Sequence, residues 1–533
     1  MTNAERRFLD GFSTRVVHQM SVGDFGSEAV IAPSRRFSRR ELLAGGGALL
    51  LLGSAGPAAF AATASTGSKL VGPTDPAVET RDAKRRRTGA GLVKATVTAS
   101  AIKTVVGGRE VSTWAFGDRP GSGEIRAKVG DLIDATFVNK LPSANTVHWH
   151  GIALRNNMDG VAGFTQPSVK PGQTFTYRFT APDAGTYWFH PHMGLELDKG
   201  LYAPLIIEDP LDPVDADVDV TLMLDDWLDG YGRTQEQVLA GLKKGGGHSG
   251  HNMTGNSGMG GTGAMMGGSG SSLNGDVTYP LHVINGRGPG ERDTVQAKPG
   301  QRVRLRLINA GSDTAYRFAV TEHRLTITHA DGFPVKPVEV DTLLLGMGER
   351  YDVIVTAKSG AFAIVAVPEG KTDRAGEAVL RTTSAATSPK VGSRPAGLTG
   401  QVLNYGDLTP TDAVRLPTRK PTRTATIRLT ASMNGYRHGI NGRSFPDSAP
   451  LAISQGERLR LRIMNDTMMF HPIHLHGHTF QVVGSSRKDT VNVAAMTAVD
   501  VDIEADNPGQ WMLHCHNTYH LESGMATVLS YRR

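Results

Sequence analysis

At 533 residues the chain is several times the size of one domain and calls for about three, each of roughly 150 residues. The formal charge is +6, but residues 1–61 contribute seven Arg against five acids, so the remainder is weakly basic and carries no footprint for nucleic acid. One cysteine, Cys515, excludes an intrachain disulfide framework, and 64 Gly and 28 Pro without a long apolar period near 3.6 point to an all-β body.

The N-terminus reads as an export signal. Ser38-Arg39-Arg40-Glu41-Leu42-Leu43 is a twin-arginine pattern, followed by the apolar stretch Leu42–Leu52 and a small-residue cleavage option at Ala59-Phe60-Ala61. That stretch is too short for a stable membrane anchor, and no cysteine follows it to carry a lipid. Residues 1–33 are an unusual length to precede such a signal, so Met20 is a second candidate start. The expected location is periplasmic, in the cell envelope or secreted. Residues 62–90, polar and basic up to Arg85-Arg86-Arg87, are expected to be a linker.

Beyond that point one unit recurs three times. Ile125 to Gly130-Asp131 leads through alternating residues to Phe137-Val138-Asn139, Gln296 to Gly300-Gln301 leads to Leu307-Ile308-Asn309, and Ser454 to Gly456-Glu457 leads to Ile463-Met464-Asn465. A turn followed by an alternating strand is therefore expected three times. A second phrase closes each unit: Gly185 leads to His190-Pro191-His192, Gly360 to Val365-Ala366-Val367, and Gly509 to His514-Cys515-His516. The outer units carry chemistry where the middle one carries apolar core. The expected domains are 91–212, 213–385 and 423–533, with a Pro/Thr/Ser-rich linker at 386–422. Inside the second, residues 245–272 form a Gly/Ser/Met/His tract expected to be a flexible insertion.

Of eighteen histidines, ten fall into four clusters: His148-Trp149-His150, His190-Pro191-His192, His471-Pro472-Ile473-His474-Leu475-His476, and His514-Cys515-His516 with His520. Side chains at i and i+2 on a strand share a face, so each HxH pair can aim at one metal site, while the thiolate between His514 and His516 points the other way. Two sites follow. One gathers Cys515, His471 and His520 with Met525, two imidazoles, a thiolate and a thioether, which is the ligand set of a blue-copper electron-transfer centre. The other gathers eight imidazoles, His148, His150, His190, His192, His474, His476, His514 and His516, between the first and last units. That many neutral nitrogen ligands suit copper better than iron or calcium. Zinc is the competing metal, though zinc sites rarely use so many histidines.

With these four signatures the chain resembles the multicopper oxidases over about residues 90–533, and within them the twin-arginine-exported bacterial metallo-oxidases and laccases. The resemblance implies three consecutive cupredoxin-like Greek-key β-sandwich domains and four copper ions, one type 1, one type 2 and two type 3. It implies type 1 ligands His471, Cys515 and His520 with Met525 axial, and type 2 ligands His148 and His474. It assigns His150, His190 and His516 to one type 3 copper, and His192, His476 and His514 to the other. Electrons would pass from Cys515 through its bonded neighbours His514 and His516 to dioxygen, which leaves as two waters. Asp159 stands where the family places an acid near type 2 copper, with an exposed turn aspartate as the alternative reading. Some relatives carry an acid directly after the last type 1 histidine. Here that residue is Leu521, and Glu522 is the nearest substitute.

For the reducing substrate, Met253, Met259, Met265 and Met266 lie with His248 and His251 in the Gly/Ser/Met/His tract, and thioethers favour soft Cu(I); Asp466, Met468 and Met469 lie just before His471, where a metal ion could be brought near the electron acceptor. A cuprous oxidase acting in copper tolerance is the preferred expectation. A laccase oxidising phenols or aromatic amines is the alternative, and the tract's methionine content can also be accidental.

Overall fold

The computed structural model describes residues 69–245, 274–432 and 435–533. Within them six sheets pair into three consecutive cupredoxin-like sandwiches. Two four-stranded sheets lie between Leu92 and Glu208, a six- and a five-stranded sheet between Val218 and Arg381, and the same pair again between Arg423 and Arg532. The fold is all-β, with three short helices, Pro76–Arg85, Gln235–Lys243 and Thr518–Glu522, among the described residues.

The recurring phrases have one structural cause. Gly130, Gly300 and Gly456 all turn with positive φ, at +92°, +85° and +83°, a conformation a side chain would strain. Each turn feeds a strand that runs parallel to the first strand of its own unit: Leu132 beside Leu92, Val303 beside Val218, and Leu459 beside Arg423. Each strand ends at an asparagine with one job. Asn139, Asn309 and Asn465 accept the N–H two residues on, at 3.0, 2.9 and 2.9 Å, and donate to two carbonyls that fix the next loop. In the last unit that loop leads into His471.

Two segments expected to be linkers are built elements. Of residues 62–90, the described part contains the helix Pro76–Arg85, whose buried Val78 and Asp82 lie four residues apart on one face. Asp82 accepts the N–H of Thr180 in the first unit at 3.1 Å, and Arg81 reaches Asp506 in the third at 2.6 Å. The helix is a strap. Within 386–422, Leu403, Tyr405 and Leu408 are buried, and the Tyr405 hydroxyl donates to Glu349 at 2.6 Å while accepting from Asn492 N at 2.9 Å. Pro- and Thr-rich flanks hid this wedge between the second and third units. The signal region and all of the 245–272 tract except Gly245 lie outside the described residues.

Where the first two units meet, Asp352 accepts from Thr186 Oγ1 at 2.6 Å, Arg304 Nε at 3.0 Å and Arg306 Nη1 at 3.1 Å. Burial pushes its pKa up, but the two guanidinium groups outweigh it and hold the carboxyl well below the usual range. A depressed folded-state pKa gives stability that is present above the unfolded value, about 3.9, and is lost as pH falls below it. Asp352→Ala should therefore cost about 1–3 kcal/mol at neutral pH, because two buried arginines lose a shared carboxylate and keep only Asp212 and Asp219. Thermal melting against pH checks this: the variant should start lower and lose less on acidification than the wild type.

Candidate metal centre

The strand His148–His150 runs antiparallel to Gly185–His190, placing His148 opposite His190 and His150 opposite Trp188. Between its two histidines, Trp149 points the other way and packs on Phe179 and Phe189 at 5.0 and 5.1 Å, which anchors the strand with its imidazoles on the outer face. In the third unit, His471–Leu475 pairs with Gln510–Cys515, so His474 lies opposite His514 and Ile473 opposite Cys515. Strand alternation separates the thiol from its neighbours.

All eight imidazoles assigned to the second site come together. His148, His474 and His476 form one close group, His148, His150 and His190 another, and His192, His476 and His514 a third. His516 closes the set, with ring centroids 4.9 Å from His150 and 5.3 Å from His190. Five of them have the proton pinned outward. His148, His190, His474 and His514 each donate Nδ1–H to a backbone carbonyl at 2.8–3.0 Å. His476 donates Nδ1–H to the Asp159 carboxylate at 3.0 Å.

What remains are inward lone pairs. Nε2 of His148, His190, His192 and His474, and Nδ1 of His150, are buried without a partner. The Nε2 atoms of His476 and His514 face each other at 3.0 Å although neither keeps a proton there. Each unmade bond costs about 1–3 kcal/mol, and several aimed at one space are tolerable only if cations fill it. Burial, and next the neighbouring imidazoles, hold His190, His192, His476, His514 and His516 neutral, the form that ligates metal. The donor set fits copper.

The Cys515 site answers the same test. Cys515 Sγ lies 3.6 Å from Nδ1 of both His471 and His520, and those two nitrogens are 3.0 Å apart. His520 donates its other proton to Asp276 at 3.1 Å, and His471 gives Nε2–H to Thr467 Oγ1 at 2.7 Å, since that hydroxyl's own proton goes to Asn465. Burial opposes charge on His520, yet Asp276 and the Cys515 sulfur push its pKa up to about 10, a demand for positive charge that a cation meets. Met525 is fully buried and tied to both ligands, accepting Cys515 N–H and donating to His520 O, each at 3.0 Å.

Asp159 is wholly buried, so it is no exposed turn residue. Its carboxylate lies 3.3 Å from His148 Nδ1 and 3.0 Å from His476 Nδ1, joining a histidine of the first unit to one of the third. Burial raises its pKa against the opposing effect of His148. Glu522, by contrast, stands exposed at the last position of its helix.

Sequence reasoning passed over the groups that carry no motif. Asp489 lies 3.2 Å from His150 Nε2 and 3.4 Å from His474 Nδ1, and its carbonyl accepts the His474 proton. Arg350 of the second unit grips that carboxylate with both guanidinium nitrogens, at 2.7 and 2.6 Å. Its remaining donors reach the carbonyls of Thr186, Gly348 and Asp331, each at 3.1 Å, so no N–H is left over and all three units are joined. At Gly348, with φ +84°, an added Cβ would sit 3.0 Å from both His150 and His516. The middle unit is thus more than a spacer. Asp276 comes from the same unit, and His438, which carries no HxH signal, stacks on His520 at 4.2 Å.

Removing the guanidinium strands a buried carboxylate against two ligands, at a cost of about 3–5 kcal/mol. In Arg350→Ala, copper bound at the eight-histidine site should fall while the Cys515 site keeps its visible colour. Copper per chain measured beside the absorption spectrum checks this.

Comparison with known proteins agrees with this chemistry. Three multicopper oxidase family models match residues 98–212, 218–388 and 415–533. Multicopper oxidase MmcO of Mycobacterium tuberculosis is 43% identical over 503 residues, covering 93% of this chain and 97% of that protein. Copper resistance protein A of Escherichia coli is 28% identical over 526 residues, covering 75% and 86%. The crystal structure of the laccase from Botrytis aclada superimposes with a TM-score of 0.68 at 25% identity, covering 83% of this chain and 88% of that one. Since the family models span most of the chain and its ligand types are in place, the chain belongs to the multicopper oxidase family and is an oxidoreductase that works with copper and oxygen.

Proposed function

We propose that the chain oxidises a small reductant at Cys515 and reduces dioxygen at the eight-histidine site, and that the reductant is Cu(I). His471, Cys515 and His520, with Met525, would hold one copper. His148 and His474 would hold a second, His150, His190 and His516 a third, and His192, His476 and His514 a fourth. Copper at these places supplies one-electron acceptance at the first site and four-electron reduction of dioxygen to water at the second. The observation that carries the reading is Cys515 itself: its sulfur faces His471 and His520 while His514 and His516, bonded to it along the chain, face the other cluster. Asp159 keeps His476 and His148 in their ligating tautomers and holds a carboxyl where protons are consumed.

Support for Cu(I) comes from the surface above His471. Met468 is 75% exposed and Met496 is 65% exposed, unusual for thioethers, and their loops are joined by Met496 N–H donating to Thr467 O at 3.2 Å. Thr467 also receives the His471 proton, so this pair of soft donors sits one residue from the electron entry point. Asp466, expected to help there, is occupied: Arg428 binds both its oxygens at 2.6 and 2.9 Å. Relatives named as copper resistance proteins favour the same substrate. We also infer export by the twin-arginine route from residues 38–43.

A laccase activity is favoured by one observation. The laccase of Botrytis aclada, named for that activity, superimposes on most of this chain.

Oxygen uptake with Cu(I) and with a phenolic donor separates the two. Met468→Leu combined with Met496→Leu should slow Cu(I) oxidation about tenfold, equivalent to roughly 1.4 kcal/mol of transition-state binding, and leave the phenol rate unchanged. Deleting residues 245–272 should also depress only the Cu(I) activity. Equal loss of both activities, or of neither, would count against the cuprous reading.

A further inference from the structure

Asp225, in the strand Val218–Trp227 of the second unit, is wholly buried, and neither of its carboxyl oxygens has a hydrogen-bond partner. Its neighbour Asp226 faces the opposite way and is satisfied, accepting Ser312 and Asp313 N–H at 2.8 and 3.0 Å. On the Asp225 face the strand presents Met223, two residues earlier, which packs with Trp188, Leu197 and Tyr202 of the first unit. The Tyr202 hydroxyl lies close enough to the Asp225 carboxyl to act on it as a donor, though outside ordinary hydrogen-bond geometry, and it is otherwise buried and unpartnered.

The unpartnered atoms continue toward the histidines. The Trp188 indole N–H is buried without an acceptor, and its ring lies 4.4 Å from His190, 5.0 Å from His150 and 5.4 Å from His516, centroid to centroid. A carboxyl, a phenol and an indole N–H, all unsatisfied and all between Asp225 and three cluster histidines, are the partners that internal water requires. An ionised carboxylate left dry at this spot would be prohibitively costly, whereas a neutral acid bonded to water is not.

We propose that Asp225 is a neutral carboxylic acid that stores a proton for oxygen reduction and releases it along internal water, past Tyr202 and Trp188, to the His190 and His516 side of the cluster. The inference rests on the reading that the eight histidines reduce oxygen. Reduction of one dioxygen to two waters takes up four electrons, delivered through Cys515, and four protons. In each release the Asp225 O–H bond breaks, the carboxylate keeps the electron pair, and a new O–H bond forms on reduced oxygen. Reprotonation would come from the side of partly exposed Asp229, whose charge acts on Asp225. Burial, and next the charge of Asp226, raise the Asp225 pKa well above the usual carboxylate range, as the stored proton requires. The ionisable groups acting on it are Asp226 and Asp229, whose charges favour the neutral acid, and Tyr202, whose hydroxyl pulls the other way without outweighing burial.

The test is Asp225→Asn, which keeps the shape and removes the proton. The variant should bind the wild-type complement of copper, and reductant should bleach it at the wild-type rate without oxygen. Reoxidation of the reduced enzyme by oxygen should then slow by at least about tenfold. Wild-type reoxidation should fall as pH rises through the raised Asp225 pKa, and this limb should be missing from the variant. In copper-free protein, infrared spectra should show a neutral carboxylic acid band that Asp225→Asn lacks. Tyr202→Phe, which removes one hydroxyl, should show the same slowing and stands in if Asp225→Asn does not fold. Unchanged reoxidation, an unchanged pH profile, or no infrared difference overturns the proposal. Loss of copper or equally slowed anaerobic bleaching overturns it too, by showing a structural role. If wild type consumes oxygen and the variant matches it, the proposed function survives and only the Asp225 proposal fails. A copper-loaded wild type that consumes no oxygen sinks both.

Discussion

The structure is organised around a repulsion. Of eight clustered imidazoles, five have their protons pinned outward by carbonyls or a carboxylate, so lone pairs meet in a buried space. Such an arrangement is stable only when cations occupy it, and it can be held only by a scaffold that does not relax when they leave. The rest of the architecture follows from keeping those rings where they would not choose to be.

That explains the division of labour among the three units. The first and third supply the ligands on short antiparallel strands, and each ligand strand buries its opposite face: Trp149 behind His148 and His150, Cys515 behind His514 and His516. The second unit supplies no ligand from its repeated phrase, yet Arg350 from that unit joins the Thr186 carbonyl of the first to Asp489 of the third. A buried ion pair of this kind adds little net stability against a hydrophobic isostere. Its worth here is directional, because a bidentate guanidinium fixes the carboxylate that orients His150 and His474. The strap Pro76–Arg85 ties the first and third units from outside.

The two sites are coupled by chain geometry and separated in their surroundings. Cys515 shares peptide bonds with His514 and His516, while its side chain belongs to the core of the third sandwich. Asp276 and His438 surround His520, and Thr467 surrounds His471, so the electron entry point is tuned by groups different from those at the cluster. Acids divide the same way. Asp159 and Asp489 touch cluster histidines, whereas Asp225 stands back from them behind Trp188.

The sequence by itself determined everything that is local. Period-2 alternation separated the thiol from its flanking imidazoles, the repeated Gly and Asn marked three copies of one sandwich, and the HxH spacing picked out eight of the ten clustered histidines, because these depend only on neighbours along a strand. Tertiary structure decided what depends on approach between distant segments. Arg350 and Asp489 are 139 residues apart and sit in no motif, and Asp276 looks like any turn residue beside a Gly/Ser tract. Asp466 and Glu522 sit close to the ligands in sequence, but one is held by Arg428 and the other is exposed. Whether a carboxyl is buried, paired or stranded is set by what packs against it, and packing partners are chosen by the fold.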